Sequence, residues 1–323
     1  MNIYTEKLPS LTSLAGEDLA PTDSFDIVMK KSGFDFDVEK VPCFTPEAEE
    51  LDSHFLIRRS DNQHVLGVMK RRYIPVSNRY MFKPFHDTVK SVGASYESAG
   101  MIDGGKKCWI SASLPKTFKL KNRPDDEIKQ TIVALVNHDG TGRNSYFSLA
   151  ERLFCNNQLR LISSGAAKSQ YTISHTKNWE SQWFDAQIGF DNAVTACQSF
   201  EKQANQLDSI KMSKKEVHRF TTNLFPQKRL DEKKKLKKPS SRLVKKREQI
   251  LDLFSTGSGN LGKTRWDAFN AVTEYIDHNN RSNDDSQTKN TKRFSRNLLG
   301  LGDYTKQRAL NMLLTTKNFE LLV

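Results

Sequence analysis

The sequence has 323 residues, of which 37% are hydrophobic and 27% are charged, and it carries a net charge of +12. This composition excludes a disordered chain, and the lack of a long apolar stretch or a signal-like N-terminus argues against membrane and secreted proteins. The four cysteines form no CxxC pair, which favours a reducing cytoplasm over a zinc or disulfide framework, and the positive charge favours a polyanionic partner.

The first half of the chain predicts a sheet that packs against a helix. Residues 1–50 lack sustained periodicity and are expected to form a wrapping N-terminal extension. Two strand-like runs, 54–59 and 65–70, flank a turn signal at 60–62 and predict a hairpin. A helix over about 79–92 should follow, because apolar residues recur there at helical spacing after a capping serine, Ser77.

A second hairpin and a buried strand extend the predicted sheet. Residues 95–101 and 107–114 surround a glycine turn, and the apolar run 130–137 predicts a buried strand. The charged segment 119–126 is expected to be a loop, and 145–161 is ambiguous between strand and helix. We therefore predict an α+β fold, with a mixed or antiparallel sheet and a long packed helix in the N-terminal half.

The C-terminal half is predicted to be mostly helical, because capping signals precede amphipathic runs. Its helices are expected at about 179–207, 213–225, 241–254, 264–278 and 304–315. The predicted organisation is an N-terminal extension (1–50), an α+β core domain (51–175), a helical segment (176–225), a basic linker or arm (226–250) and a C-terminal helical region (251–323).

The positive charge is concentrated in one segment, 228–247, where eleven Lys or Arg residues stand against two acidic ones, a local charge of +9. A run of like charge resists compaction, so this segment is a solvated linker, an exposed helix or an arm that contacts phosphate, and a nuclear localisation signal would have a similar sequence. The cations that would make these contacts are Lys233, Lys234, Lys235, Lys237, Lys238, Lys245, Lys246 and Arg247.

Basic and aromatic residues are also interleaved along the predicted sheet. Cations that pair with phosphates beside rings that stack on bases are typical of a groove for single-stranded nucleic acid. Ordinary surface charge is the open alternative. The residues assigned to the groove are Lys70, Arg71, Arg72, Arg79, Lys106, Lys107, Arg143 and Arg152, with Tyr73 and Trp109 as the stacking rings.

Two other features bear on an enzymatic function. Residues 257–264, GSGNLGKT, fit the phosphate-loop consensus, but a charged helix precedes them where a buried strand is needed, so we expect a helix–helix connection. His138 and Asp139 follow a strand and suit a metal ligand or a base, although a turn-stabilising role is favoured. The sequence therefore assigns no catalytic residue, no metal and no cofactor.

Several motifs occur in an order and spacing that resemble one known family. They are RYIPVSN at 72–78, YESAG at 96–100, NHDG at 137–140, RLFCNN at 152–157 and TRWDAFNAVTEYIDH at 264–278. The chain is similar in these motifs to the phage/plasmid-like protein family, domain of unknown function 932. The resemblance implies a mobile genetic element in a bacterial host cell, and it implies no activity.

At the level of fold, the predicted arrangement is similar to Rad52-like single-strand annealing proteins, which form rings and bind the DNA backbone without nucleotide hydrolysis. Fold analogy does not establish function. We expect a nucleic-acid-binding homo-oligomer, most specifically a factor that binds or anneals single-stranded DNA in recombination or replication. Two alternatives stay open: a nucleotide- or metal-dependent enzyme, and a host-interaction or assembly protein. The latter would dock through Trp266, Phe269, Ala271, Val272 and Tyr275.

Overall fold

The computed structural model describes residues 10–153, 156–161, 171–173, 196–227, 238–279, 287–317 and 319. It has the predicted α+β fold, and its two sheets are antiparallel. The smaller sheet contains β2 (Val38–Phe44), β3 (Glu50–Arg59) and β4 (Val65–Lys70). The larger contains β1 (Glu17–Asp18), β5 (Ser95–Ile102), β6 (Lys107–Ser113), β7 (Phe118–Leu120), β8 (Arg123–Asn137), β9 (Asn144–Arg152), β10 (Asn157–Leu161) and β11 (Tyr171–Ile173).

The smaller sheet is a three-stranded meander in the order β2-β3-β4. Its β3–β4 pair is the first predicted hairpin, which is confirmed, and β2 adds a strand from the predicted N-terminal extension. The Lys40 ammonium on β2 donates to the carbonyl oxygens of Arg71 (2.7 Å) and Tyr73 (3.1 Å). These two bonds fix the backbone that follows β4.

The larger sheet runs in the order β1-β5-β6-β8-β9-β10, with β7 paired to β8 and β11 paired to β9. The predicted β5–β6 hairpin is confirmed, and the predicted strand 130–137 is the second half of β8. The expectation of a loop at 119–126 is wrong, because Lys119 pairs with Glu127 and most of the segment belongs to β7 and β8. The ambiguous stretch 145–161 forms β9 and β10.

The helices lie mostly in the C-terminal half, as predicted. A helix does begin after Ser77, but the expectation of one long helix in the N-terminal half is wrong, because α3 has 14 residues whereas α6 has 16 and α9 has 15. The predicted stretch 179–195 lies outside the described residues. The helices are α1 (Leu11–Ala15), α2 (Phe25–Lys31), α3 (Asn78–Ser91), α4 (196–209), α5 (Lys214–Leu224), α6 (Ser241–Thr256), α7 (Arg265–Glu274), α8 (Gln287–Leu298) and α9 (Leu301–Thr315).

Helices cover both faces of the larger sheet. On one face, α3 buries Phe82 and Phe85 against β5, β6 and β8. On the other face, Leu11 of α1 and Phe294 of α8 pack around Trp109 of β6. The strands β7 to β10 share a third hydrophobic cluster with the C-terminal helices, so the two halves of the chain are joined by a common core. Among the described residues, every helix is too short or too polar to span a lipid bilayer.

Candidate nucleic-acid interface

One end of the larger sheet collects most of the cations that the sequence assigned to a groove. The end of β4 packs on the turn between β8 and β9, because Gly67 and the Met69 side chain lie against the backbone of 139–140. The same turn is bonded to the start of β6 through His138 N and the Lys106 carbonyl oxygen (2.8 Å). We call the cations at this end the sheet-end cluster: Lys70, Arg71, Arg72, Lys106, Lys107 and Arg143.

The sheet-end cluster is only partly neutralised. Lys107 pairs with Asp139 and donates to the Thr141 hydroxyl at 2.9 Å. Burial would raise the pKa of Asp139, but hydrogen bonds from Lys107 and Thr141 hold it below its ordinary value. Four other cations of the cluster are exposed and form no ion pair within the described part of the chain: Lys70, Arg71, Arg72 and Arg143. The cluster therefore keeps most of its positive charge available.

Arg79 and Arg152 do not join this cluster, and the assignment of Arg152 to the groove is wrong because its side chain is buried. The Arg79 guanidinium is held by the carboxylates of Asp26 and Asp35, the latter at 2.9 Å. Arg152 is buried, and it pairs with the equally buried Asp126 at 2.6 Å. The buried guanidinium is inaccessible to a phosphate.

The two predicted stacking rings pack against the core. Trp109 is fully buried and stacks on Phe294, with ring centroids 4.7 Å apart. Tyr73 packs against the core beneath α3, and burial, together with the charge of Asp139, raises the pKa of its hydroxyl. Trp109 therefore offers no free face to a base, and Tyr73 is half-buried against the core.

A second basic surface lies where α6 approaches α8. We call it the α6–α8 patch: Arg242, Lys245 and Lys246 of α6 and Arg296 of α8. The Lys246 ammonium lies 4.8 Å from the ring centroid of Phe225 and 5.8 Å from that of Tyr275. Burial, followed by repulsion from Arg242 and Arg296, lowers the pKa of Lys246. Lys246 therefore feels the charge of one arginine from its own helix and of one from α8.

No carboxylate compensates the α6–α8 patch within the residues that the structure describes, since none of its four cations forms an ion pair there. Lys245 and Lys246 were predicted as phosphate contacts, whereas Arg242 was missed, although its spacing of four from Lys246 places both on one helix face. It also missed Arg296, because α8 was not predicted. Lys238 is exposed just before α6, and Arg247 donates to the Phe225 carbonyl oxygen at 2.6 Å. Lys233, Lys234, Lys235 and Lys237 lie outside the described residues.

The loop 257–264 is a helix–helix connection, as expected, and its amides are already occupied. The backbone N–H groups of Leu261, Lys263 and Thr264 donate to the carboxylate of Asp267 at 2.9–3.0 Å. Thr264 caps α7 in a capping box with the same aspartate. In a nucleotide site such amides bind phosphate, so here an internal carboxylate takes the place that a phosphate would need.

The residues behind the remaining alternatives lie inside the protein. His138 is buried with its Nε2 atom 2.8 Å from Asn78 Oδ1, and Asp139 is paired with Lys107, which fits the turn-stabilising role. Among the described residues, no three His, Cys, Asp or Glu side chains converge as a metal site would require. Residues proposed for a docking face are core instead: Trp266, Phe269, Ala271, Val272 and Tyr275 are all buried.

Comparison with known proteins gives one match. A family model described as Domain of unknown function (DUF932) matches residues 65–298, from β4 to the end of α8 and well over half of the chain. No curated protein and no solved structure matches the chain.

Proposed function

This chain belongs to the DUF932 family, and from that premise we propose that it is a nucleic-acid-binding protein of a phage or plasmid. In its most specific form, the proposal is a homo-oligomer that binds and anneals single-stranded DNA during recombination or replication, in the cytoplasm of a bacterial host. It does so without hydrolysing a nucleotide. The family description states no activity, so the support comes from the charged surface.

The observation that carries the proposal is the α6–α8 patch. Arg242 and Arg296 come from two different helices, and the charge of each adds to the burial that lowers the pKa of Lys246. An isolated protein gains no stability from such an arrangement, whereas a row of phosphates would relieve the repulsion and release counterions. The sheet-end cluster offers a second surface of the same chemistry.

The predicted form of binding is dominated by the backbone of the nucleic acid. Phosphate contacts give affinity and salt dependence but carry no sequence information. Because Trp109 is fully buried, base stacking by this ring makes no contribution. We therefore expect binding that tolerates any sequence and weakens steeply with salt.

The first experiment is fluorescence anisotropy of labelled single-stranded and duplex DNA with nuclease-treated protein, titrated across salt. Replacing Arg242 and Arg296 by Ala should weaken binding. For two lost phosphate contacts on a single strand, the slope of log K against log salt should fall by about 1.4. The matched control replaces Lys90 and Lys116 by Ala. Both cations are exposed, and they lie near the ends of α3 and β6 that are farther from the sheet-end cluster.

Each outcome decides one part of the proposal. No binding of wild-type protein at low salt would remove the nucleic-acid function altogether. Equal loss in the patch variant and in the control would show that net charge, rather than the α6–α8 patch, drives binding. If single-strand binding is selective, complementary strands mixed with the protein should pair faster than strands alone, and an unchanged pairing rate would limit the function to binding.

A further inference from the structure

Two large apolar side chains of α9 are exposed at the edge of the α6–α8 patch. Leu301 and Tyr304 lie one helical turn apart, and 73% and 65% of their surfaces are exposed. Other apolar residues of the same helix, Leu310 and Leu313, are buried in the core. Single exposed apolar side chains are common on protein surfaces, so the surroundings of Tyr304 decide whether its ring has a role.

On one side, the first turn of α9 packs directly on the last turn of α8. Gly302 approaches α8 so closely that a Cβ atom there would lie 2.9 Å from the Arg296 carbonyl oxygen and 2.7 Å from the Asn297 Cα atom. Tyr304 follows Gly302 by two residues, a rise of about 3 Å along the helix. It therefore lies close to Arg296, the cation that α8 contributes to the α6–α8 patch.

On the other side, the same face of α9 contacts the end of α5. The Arg308 guanidinium donates to the Asn223 carbonyl oxygen at 3.1 Å. Residues four apart are neighbours on a helix, so Tyr304 lies beside Arg308. Two residues after Asn223, the ring of Phe225 carries the Lys246 ammonium at 4.8 Å. Tyr304 is therefore close to the patch cations of both α6 and α8.

We propose that Tyr304 stacks on a base of single-stranded DNA whose phosphates contact the α6–α8 patch. The assignment rests on the proposed function and adds the group that distinguishes a single strand from a duplex. Cations alone bind the phosphates of either form, whereas an exposed ring beside cations offers a flat surface on which an unpaired base stacks. In a duplex the neighbouring base pairs cover the faces of each base, so the ring gains no such contact.

The contact is made by the face of the ring. Replacing Tyr304 by Phe keeps this face and removes only the hydroxyl, so affinity should stay as in wild type. Replacing Tyr304 by Ala removes the ring, and the loss of stacking on one base should weaken binding by about 5- to 150-fold. Every base has a π-face, so the contact adds affinity without adding sequence preference.

The test is fluorescence anisotropy of the full chain with three labelled probes. They are a single-stranded oligonucleotide, a duplex of the same length, and an abasic strand that keeps the sugars and phosphates but carries no bases. Tyr304→Ala should bind the base-bearing strand at least about fivefold more weakly and should bind the duplex and the abasic strand as wild type does. Tyr304→Phe should match wild type on all three probes.

The matched control is Phe44→Ala. It removes a ring that is 60% exposed on β2, close in the sequence to the acidic residues Glu47 and Glu49 rather than to the patch. This variant should bind all three probes as wild type does. Circular dichroism of each variant confirms that it is folded.

Three results would overturn the assignment. One is wild-type affinity of Tyr304→Ala for the base-bearing strand. Another is an equal loss on the abasic strand or the duplex, which would show that the ring supports phosphate binding or the fold. The third is a loss in Tyr304→Phe as large as that in Tyr304→Ala, which would assign the contact to the hydroxyl. In all three, wild-type protein still binds DNA and the proposed function stands, whereas no wild-type binding to any probe would refute both.

Discussion

Replacing Arg152 by Ala tests whether this residue stabilises the fold by joining two buried elements or belongs to the nucleic-acid interface. Its guanidinium pairs with Asp126 and also donates to the carbonyl oxygens of Ser258 (2.9 Å) and Gly259 (2.7 Å). It therefore joins β9 to the loop between α6 and α7. The substitution removes all of these bonds and leaves the Asp126 carboxylate in the core without its cation.

The expected loss of stability follows from burial. Both partners are almost inaccessible, with side-chain exposures of 3% and 2%. Breaking a buried ion pair by removing one partner costs about 3–5 kcal/mol, because the remaining charge is desolvated and unpaired. Typical domains have a free energy of unfolding of about 5–15 kcal/mol. The variant should therefore lose a large part of its stability.

Urea unfolding, followed by circular dichroism and tryptophan fluorescence, measures this loss. Arg143→Ala is the matched control, because Arg143 is exposed and should change stability by less than about 0.5 kcal/mol. The double variant Asp126→Asn with Arg152→Met should recover part of the loss, since it leaves no buried charge. If Arg152→Ala unfolds like wild type but binds DNA more weakly, the stabilising role of Arg152 is wrong and the residue belongs to the interface.

Three further substitutions test other buried groups by urea unfolding. Trp109→Ala should lower the free energy of unfolding by about 3–5 kcal/mol, because a fully buried ring is lost; reduced DNA affinity at unchanged stability would contradict this. Burial alone would raise the pKa of Asp267, but hydrogen bonds from Arg123 and the loop amides hold this pKa below its ordinary value. Asp267→Asn should therefore be destabilising above about pH 3.9 and approach wild type as the pH falls through the lower folded-state pKa; a difference that grows on acidification would refute it. Lys306→Met should cost about 3–5 kcal/mol because it strands the buried Asp277 carboxylate, and a loss below 1 kcal/mol would argue against that pair.

The elements with strong local signals could be predicted from the sequence. Ser77 caps α3 by accepting from the backbone N–H of Tyr80, and Gly93, at φ +66°, lies just past its end. Ser213 and Glu216 form the capping box that begins α5. In each case a residue a few positions away determines where the helix begins or ends, so the local sequence was sufficient to predict the helix boundary.

The strand β9 shows where local reading fails. All nine of its residues are buried, because helices cover both faces of the sheet, and the alternation typical of a half-exposed strand is therefore missing. The order of the strands, and pairings such as that of β1 with β5, depend on partners far along the chain. These partners cannot be inferred from the segment itself.

The same limit applies to the candidate site. Arg143 and Arg152 flank one strand and are chemically identical in the sequence, yet one is exposed and the other is buried. The difference arises because Asp126, which lies 26 residues before Arg152, pairs with Arg152 and not with Arg143. Arg296 was missed for a related reason, since its proximity to Lys246 depends on how α8 packs.

The packing of α1 and α8 over Trp109 has a consequence for the synthesis of the protein. The strands up to β10 leave the ribosome well before α8. The face of the sheet around Trp109, Val133 and Phe147 therefore stays uncovered until Phe294 has been synthesised. A nascent or truncated chain that ends before α8 displays this apolar face and is prone to aggregate. Folding of the sheet is thus completed late in translation, by contacts of high sequence separation that form slowly.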